Sequence, residues 1–324
     1  MQDILAVTVP FFALVLCGYV AARLGWLPES AIPGLNAFVL FFALPCLLFR
    51  LGAATPVAKL LDPVLLLVYG SAGLAMLALT VRLTLAPPRL GLKDAAFGAL
   101  MAAFPNSGFM GLPLLTALLG ASAGGPVMVT LLFDLFVTTS ICLTLAQLEA
   151  GAHLPLGQRL RLSLRGPFTN PQPWAIGLGA VASASGFVLS GPIDRMVELL
   201  AGAATPVALL TIGAVLCRAG RQAQTRTAVA GYLPVALLKL VLHPLLVFGL
   251  GQAAMAGGLA LSRADLVTLT LVAALPSASN VSILAERFGA DNGRVARIVI
   301  SSTALAFLTF SALSWWFGIQ PLRA

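Results

Sequence analysis

The chain has 324 residues, of which 59% are hydrophobic and only 9% are charged, and its mean hydropathy is +0.99. Because a soluble domain carries about 25% charged residues, this composition excludes a soluble protein and predicts an all-α polytopic membrane protein in contact with the lipid bilayer. The net charge of +8 does not indicate a nucleic-acid partner, since Lys and Arg in short loops set the orientation of a membrane protein.

Hydropathy predicts ten transmembrane helices, taking about 20 residues for each crossing. We interpret the first as a span and not as a cleaved signal peptide, because Met1–Asp3 lacks a basic segment. The predicted spans are 4–24, 31–50, 62–85, 94–119, 124–146, 171–190, 195–217, 227–254, 264–288 and 293–317.

Two of these spans are interrupted near their middle. Ala102–Leu114 in the fourth span reads AAFPNSGFMGLPL, and Ala274–Leu284 in the ninth reads ALPSASNVSIL. Pro105 and Pro276 each remove a backbone N–H and clash one turn back. A broken backbone is tolerated inside a bilayer only where it faces protein or a wet cavity. Two such breaks in corresponding halves of a chain are typical of a secondary transporter.

The two halves of the sequence match each other. Pro45 in the second span corresponds to Pro206 in the seventh, just as the two break prolines correspond. Each half has five spans, an odd number, so the repeats must be inverted in the membrane. The sequence therefore predicts a first five-helix repeat over 1–146, a short cytoplasmic linker over 147–170 and a second, inverted repeat over 171–324.

Loop charges predict the orientation. With the N-terminus outside, the inner loops hold thirteen of the nineteen Lys and Arg residues and the outer side holds five. This bias places both termini on the outer, periplasmic or extracellular, side of the cell (inner) membrane. The inner residues are Arg23, Arg82, Arg89, Lys93, Arg159, Arg161, Arg165, Arg218, Arg221, Arg226, Arg287, Arg294 and Arg297, and the outer ones are Arg50, Lys59, Arg195, Arg263 and Arg323.

Four segments carry a family resemblance. FPNSGFMGLPLL at 104–115, NPQPWAIGLGA at 170–180, ATPVALLTIGAVL at 204–216 and LPSASNVSILAERFGAD at 275–291 resemble the auxin efflux carrier family, in the same order and over essentially the whole chain. That family includes plant auxin exporters and bacterial permeases assigned to malonate or malate. The chain lacks the long hydrophilic central loop of plant members and is similar to the prokaryotic type.

The resemblance implies ten spans, crossing broken helices at mid-membrane, a scaffold and a transport subdomain formed from both repeats, and elevator-type alternating access. It also implies a homodimer formed through the scaffold helices. The substrate class would be a small organic anion, a mono- or dicarboxylate or an auxin-like acid.

The breaks supply the chemistry for binding an anion. The second half of each broken helix begins with free N–H groups and about half a positive charge, at 106–111 and at 277–282. We predict that Asn106 or Ser107 caps the first start and that Ser277 or Ser279 caps the second.

Two crossing starts would hold a carboxylate without a full countercharge. The predicted substrate-binding residues are Pro105, Asn106, Ser107, Pro276, Ser279 and Asn280. The alternative is that these residues only satisfy freed backbone groups.

Asp134 lies well inside the fifth span, in VTLLFDLFVTTS. An ionisable residue there costs about 3 kcal/mol on insertion scales, so it is a candidate coupling or gating residue. It could exchange a proton, hydrogen-bond the fourth-span break from the side, or act as a structural carboxyl paired with a neighbouring helix. Thr138, one turn away, shares its face.

Lys239 and His243 lie one turn apart in the eighth span. They could neutralise an anion or pair with Asp134. The sequence favours a simpler interpretation, in which Lys239 snorkels toward an interface and His243 bonds a backbone carbonyl. The weaker cavity candidates, which mark kinks or polar positions in apolar spans, are Asn36, Pro45, Pro206, Thr211 and Lys239.

Other classes of function fit the sequence less well. The motifs HExxH and GxGD and the Walker A sequence are absent from the chain, so it is not expected to be an enzyme. The four cysteines form no CxxC pair, and we expect neither a metal nor a cofactor. Two transport alternatives remain, a sodium-coupled symporter of the bile-acid type and an anion channel.

Overall fold

A computed structural model describes residues 2–86, 90–150, 157–158, 165, 167–222 and 228–319. Throughout these residues the secondary structure is helical, and the extended backbone is limited to one isolated bridge. The predicted loop residues Arg89, Arg159, Arg161, Arg226 and Arg323, and most of the 147–170 linker, lie outside the described residues.

Twelve longer helices make up the described part of the chain. They are α1 (Gln2–Arg23), α2 (Ala31–Ala53), α3 (Pro63–Leu85), α4 (Leu92–Ala103), α5 (Ser107–Leu119), α6 (Ala121–Leu148), α7 (Pro171–Ser185), α8 (Gly191–Gln222), α9 (Val229–Ala256), α10 (Arg263–Ala273), α11 (Val281–Phe288) and α12 (Asn292–Trp316).

Seven helices in the described residues are long and apolar enough to cross a membrane. They are α1, α2, α3 with the short helix before it, α6, α8, α9 and α12. The fourth and ninth predicted spans are interrupted as expected, so each consists of two short helices. The sixth predicted span is the 15-residue α7. The prediction of a helical, multi-pass membrane protein is therefore confirmed.

Polar residues mark where several helices begin. The carboxylate of Asp62 accepts hydrogen bonds from the backbone nitrogens of Val64 and Leu65 at 2.8 and 3.3 Å. The side chain of Asn170 accepts a hydrogen bond from the Gln172 nitrogen at 2.9 Å. Pro follows each of these caps, which suits the first helical position, where no N–H is needed.

The helices form two groups. The four-helix group contains α1, α2, α7 and α8, with α1 packed along α8 and α2 packed along α7. The eight-helix group contains the other helices, and the two broken pairs, α4–α5 and α10–α11, lie inside it. The groups meet where α8 packs against α12 and against the first turn of α5.

Glycine allows the close approach of helices in the four-helix group. A Cβ on Gly213 of α8 would overlap the carbonyl oxygen of Val15 on α1, and a Cβ on Gly18 of α1 would overlap the carbonyl oxygen of Leu210 on α8. Small residues at such contacts are how membrane helices gain van der Waals packing.

We predict that Gly213→Ala destabilises the protein. Alanine normally favours a helix over glycine by about 1 kcal/mol, but here the new Cβ must push two backbones apart, which costs about 3 kcal/mol. The melting temperature of detergent-purified protein should fall by roughly 3–10 °C. The matched control is Gly202→Ala in the same helix, where a Cβ meets nothing within 4 Å. Equal melting temperatures for both variants would contradict the packing account.

Candidate functional site

The two helix breaks touch each other. The backbone N–H of Asn106 donates to the carbonyl oxygen of Pro276 at 2.8 Å, and the N–H of Ala278 donates to the carbonyl oxygen of Phe104 at 3.1 Å. Together these bonds form an antiparallel bridge between Pro105 and Ser277. Each break therefore supplies partners for backbone groups that the other break has freed from its helix.

The predicted side-chain caps are wrong. Asn106 precedes α5 and Asn280 precedes α11, but neither forms a side-chain cap bond. The first helix starts with tight turns, in which the nitrogens of Met110 and Gly111 donate to the carbonyl oxygen of Asn106.

Of the three predicted capping serines, Ser107 and Ser277 have other surroundings, and the residue at the cap position of α11 is Asn280 and not Ser279. The hydroxyl of Ser107 is buried and has no partner in the described residues. The hydroxyl of Ser277 donates across the molecule to the carbonyl oxygen of Met101 at 2.7 Å. The second helix start also begins later than predicted, at Val281, because the residues after the bridge form turns before α11.

A cleft opens beside the bridge between the breaks. It is lined by the first turn of α5, by both break segments, and by single residues of α6 and α7. The lining residues are Phe104, Pro105, Asn106, Ser107, Gly108, Phe109, Leu131, Gln172, Ala278 and Asn280.

Three polar side chains in this cleft lack a hydrogen-bond partner in the described part of the chain. Asn106 is only 6% exposed, yet its amide bonds no other residue. The Oδ1 of Asn280 and the Oγ of Ser107 are buried without partners. Because buried polar groups are nearly always hydrogen-bonded, this set has donor and acceptor capacity left for a ligand or for water.

The cleft is narrow in this conformation. Its empty space is about 260 Å³, part of it open to solvent, but the room available to water-sized molecules is about 10 Å³. That is roughly what one water needs. A carboxylate can enter only if the surrounding helices move apart.

Four predicted substrate-binding residues line the cleft and two do not. The cleft lining includes Pro105, Asn106, Ser107 and Asn280, but it does not include Pro276 or Ser279. The weaker candidates also lie outside the lining. Asn36 and Pro45 are half-buried, Pro206 is exposed on the surface, Thr211 is bonded to the carbonyl of its own helix, and Lys239 is fully buried elsewhere.

Gln172 is a lining residue that the sequence reasoning missed. It is 3% exposed, and a Cβ on Gly108 of the cleft wall would lie 3.7 Å from its Nε2. It is the one cleft residue that comes from the four-helix group. The available signal was a polar residue between Pro171 and Pro173 at the start of an apolar segment.

Asp134 lies one turn beyond the cleft, in the core of the eight-helix group. It is 1% exposed. Tyr69 of α3 donates to its Oδ2 at 2.7 Å, and Thr138 donates to its Oδ1 at 2.9 Å. The predicted shared face with Thr138 is confirmed. No hydrogen bond joins Asp134 to the described residues of the fourth-span break, so that alternative is wrong.

Lys239 contacts the second broken helix instead of Asp134. Its Nζ donates to the carbonyl oxygen of Ala273, the last residue of α10, at 2.7 Å, and lies 3.0 Å from His243 Nδ1. A cation at a helix C-terminus is favoured by the negative end of the dipole. The ring of Tyr69 lies 5.8 Å from that of His243, centroid to centroid, so the two buried polar sets are adjacent. A snorkelling position for Lys239 is excluded by its complete burial.

Irregular helical turns coincide with these polar residues. Three of the four π-helical turns in the described residues lie at them, Ser107–Gly111, Asp134–Thr138 and Leu238–Leu242, and the fourth, Val39–Ala43, lies in an apolar part of α2. Such turns are rare and occur frequently at functional sites. A π-helical turn changes the direction in which the side chains of a helix point. The side chains at the cleft, around Asp134 and around Lys239 therefore all lie at departures from regular helix geometry.

Comparison with known proteins agrees with this architecture. A sequence profile of a family described as "Membrane transport protein" matches residues 3–155 and 156–314. A Rhizobium meliloti (strain 1021) protein named "Putative malonate transporter" is 29% identical over 328 residues, covering 97% of this chain and 95% of that protein. A Methanothermobacter thermautotrophicus (strain Delta H) protein named "Uncharacterized transporter" is 29% identical over 302 residues, covering 91% and 92%.

The profile match covers nearly the whole chain in two consecutive parts, and both relatives are transporters by name, not enzymes. With its helical membrane-spanning segments, the chain belongs to the membrane transport protein family, the auxin efflux carrier family that its motifs resemble.

Proposed function

We propose that this protein is a secondary active transporter that moves a small organic anion, a mono- or dicarboxylate such as malonate, across the cytoplasmic membrane. The observation that carries the proposal is the set of unpartnered polar side chains, Asn106, Ser107 and Asn280, around one cleft at the meeting point of two broken helices. Packing alone does not require such a set.

The electrostatics of the cleft favour an anion. No charged side chain is among its lining residues, but the first turn of α5 forms part of its wall. The start of a helix carries about half a positive charge and suits a carboxylate. Asn106 and Gln172 would donate amide N–H groups, and Ser107 would donate its hydroxyl.

Malonate is the first substrate to test because one relative carries that name at 29% identity. Malate and an auxin-like acid belong to the same chemical class and are the next candidates.

The membrane topology belongs to the same proposal. Ten spans would form two inverted five-helix repeats, with α4–α5 and α10–α11 as the broken fourth and ninth spans. The helix pairs support this, since α1 packs on α8 and α2 packs on α7. If α1 and α2 correspond to α7 and α8, each of these pairs joins the first helix of one repeat to the second helix of the other. Both termini would lie outside.

Elevator-type movement would follow from the two helix groups. The four-helix group would act as the scaffold and as the homodimer contact, and the eight-helix group would carry the ligand. All lining residues except Gln172 come from the eight-helix group. Sliding that group past α7 and α8 would open the cleft, which now has room for about one water.

Asp134 and Lys239 would couple the state of the break to movement. Lys239 holds the end of α10 just before the second break, and Asp134 lies on the helix whose Leu131 lines the cleft. A proton that binds to or leaves Asp134 would change the net charge beside the ligand. This coupling would need no metal or other cofactor.

We predict that Asn106→Ala and Asn106→Asp abolish substrate transport without unfolding the protein. The Asn106 side chain forms no hydrogen bond to described residues, so its removal should lower the melting temperature by no more than about 2 °C. The aspartate keeps the size but loses the donor and repels an anion. Malonate counterflow in proteoliposomes should fall at least tenfold in both variants, about 1.4 kcal/mol.

The control for this experiment is Gln252→Ala, an exposed amide on α9. Counterflow by the wild-type protein would identify a carrier, since a channel shows no counterflow. The control variant should show the same counterflow as the wild type. Unchanged counterflow in both Asn106 variants would contradict the binding role of the cleft.

We predict that Asp134→Asn removes the pH dependence of transport. The amide resembles a protonated carboxyl that cannot release its proton. The wild-type rate should change between about pH 5 and pH 8, and the variant rate should be flat over that range. The measurement is malonate uptake at matched pH on both sides of the vesicle, with and without sodium. Asp3→Asn, at an exposed position on α1, is the matched control. A variant profile identical to that of the wild type would exclude Asp134 as a proton carrier.

A further inference from the structure

A second cavity lies where the end of α8 meets the turn between α11 and α12. It is lined by Arg218 of α8, by Ser282 and Glu286 of α11, and by Asn292 and Gly293 at the start of α12. It shares no lining residue with the cleft at the breaks. Its empty space is about 380 Å³, and the room for water-sized molecules is about 30 Å³, three times that of the cleft.

Several polar groups that line this second cavity have no partner in the described part of the chain. Ser282 is 8% exposed, and its Oγ is buried without a hydrogen bond. The Oδ1 of Asn292 is buried and unpartnered as well. Arg218 forms no ion pair or hydrogen bond with a described residue. Because buried polar groups are rarely left unpaired, the convergence of these groups on one cavity leaves hydrogen-bonding capacity for a small ligand or for water.

The charges around the cavity indicate the sign of that ligand. The first N–H groups of the 25-residue α12 have no intrahelical partner and carry partial positive charge. The carboxylate of Asp291 accepts the N–H of Arg294 at 2.9 Å, and the Asp291 backbone carbonyl accepts the N–H of Val295 at 3.1 Å. Arg218 adds a full positive charge and a planar set of donors suited to an oxyanion. Glu286 is exposed and does not pair with Arg218.

We propose that this cavity is a second ligand site that binds a small oxyanion, either inorganic phosphate or a small carboxylate. Arg218 supplies the opposing charge, the Ser282 hydroxyl donates a hydrogen bond, and the start of α12 contributes its N–H groups. The limited room favours a compact anion. The site stands apart from the transported substrate and does not depend on the proposed function.

The direct test is isothermal titration of the full-length, detergent-purified protein with inorganic phosphate and, separately, with malonate. Arg218→Gln should weaken binding of the preferred anion at least about tenfold, because a charged hydrogen-bond donor is lost. The matched control is Arg221→Gln, one turn along α8, where the guanidinium lies 3.4 Å from the Glu29 carboxylate outside the cavity. The control should bind as the wild type does.

Two further variants keep the test decisive. Ser282→Ala removes a hydroxyl that bonds nothing, so it should weaken binding severalfold even if Arg218→Gln is unstable. Glu286→Gln should tighten binding of an oxyanion about two- to fivefold by removing a like charge. Weaker binding in Glu286→Gln would instead indicate a zwitterion and overturn the oxyanion assignment.

The ratio of phosphate to malonate affinity identifies which oxyanion the site takes. Repeating the malonate titration in Asn106→Asp separates this cavity from the cleft, since that variant disables only the cleft. Equal affinities for Arg218→Gln, Ser282→Ala and Arg221→Gln, or no binding of either anion by the wild type, would overturn the proposal.

Discussion

The structure depends on how backbone groups freed inside an apolar core are satisfied. Pro105 and Pro276 each interrupt a helix where an unpaired N–H or carbonyl would cost several kcal/mol. The two breaks meet this need together, because Asn106 donates to the Pro276 carbonyl and Ala278 donates to the Phe104 carbonyl. Once the backbones pair in this way, the side chains of Asn106, Ser107 and Asn280 are free to face a cleft.

The same principle explains the surroundings of the breaks. The Ser277 hydroxyl donates to the Met101 carbonyl, and Lys239 donates to the Ala273 carbonyl. A buried carbonyl in the last turn of α4 and one in the last turn of α10 thus each accept a hydrogen bond from a side chain. Asp134 is held by Tyr69 and Thr138. These contacts lie inside the eight-helix group, whereas close backbone contacts at glycines hold the four-helix group.

Much of this was predictable from the sequence. Hydropathy located the helices to within a few residues, and the prolines located both breaks, because apolar length and a missing N–H act locally. The capping roles of Asn106 and Ser277 were wrong, since pairing between the breaks, a contact across about 170 positions, competes with local caps. Gln172 and the Lys239–Ala273 contact were missed for the same reason: each depends on which helices become neighbours.

The central claim is that the two breaks together hold a carboxylate, and the most direct measurement is a structure of the protein with malonate by single-particle electron microscopy. The account predicts ligand density between Asn106 and Asn280, beside the first turn of α5, in a cleft wider than the present one. Density at the α8–α12 cavity alone, or an unaltered cleft at saturating malonate, would contradict it.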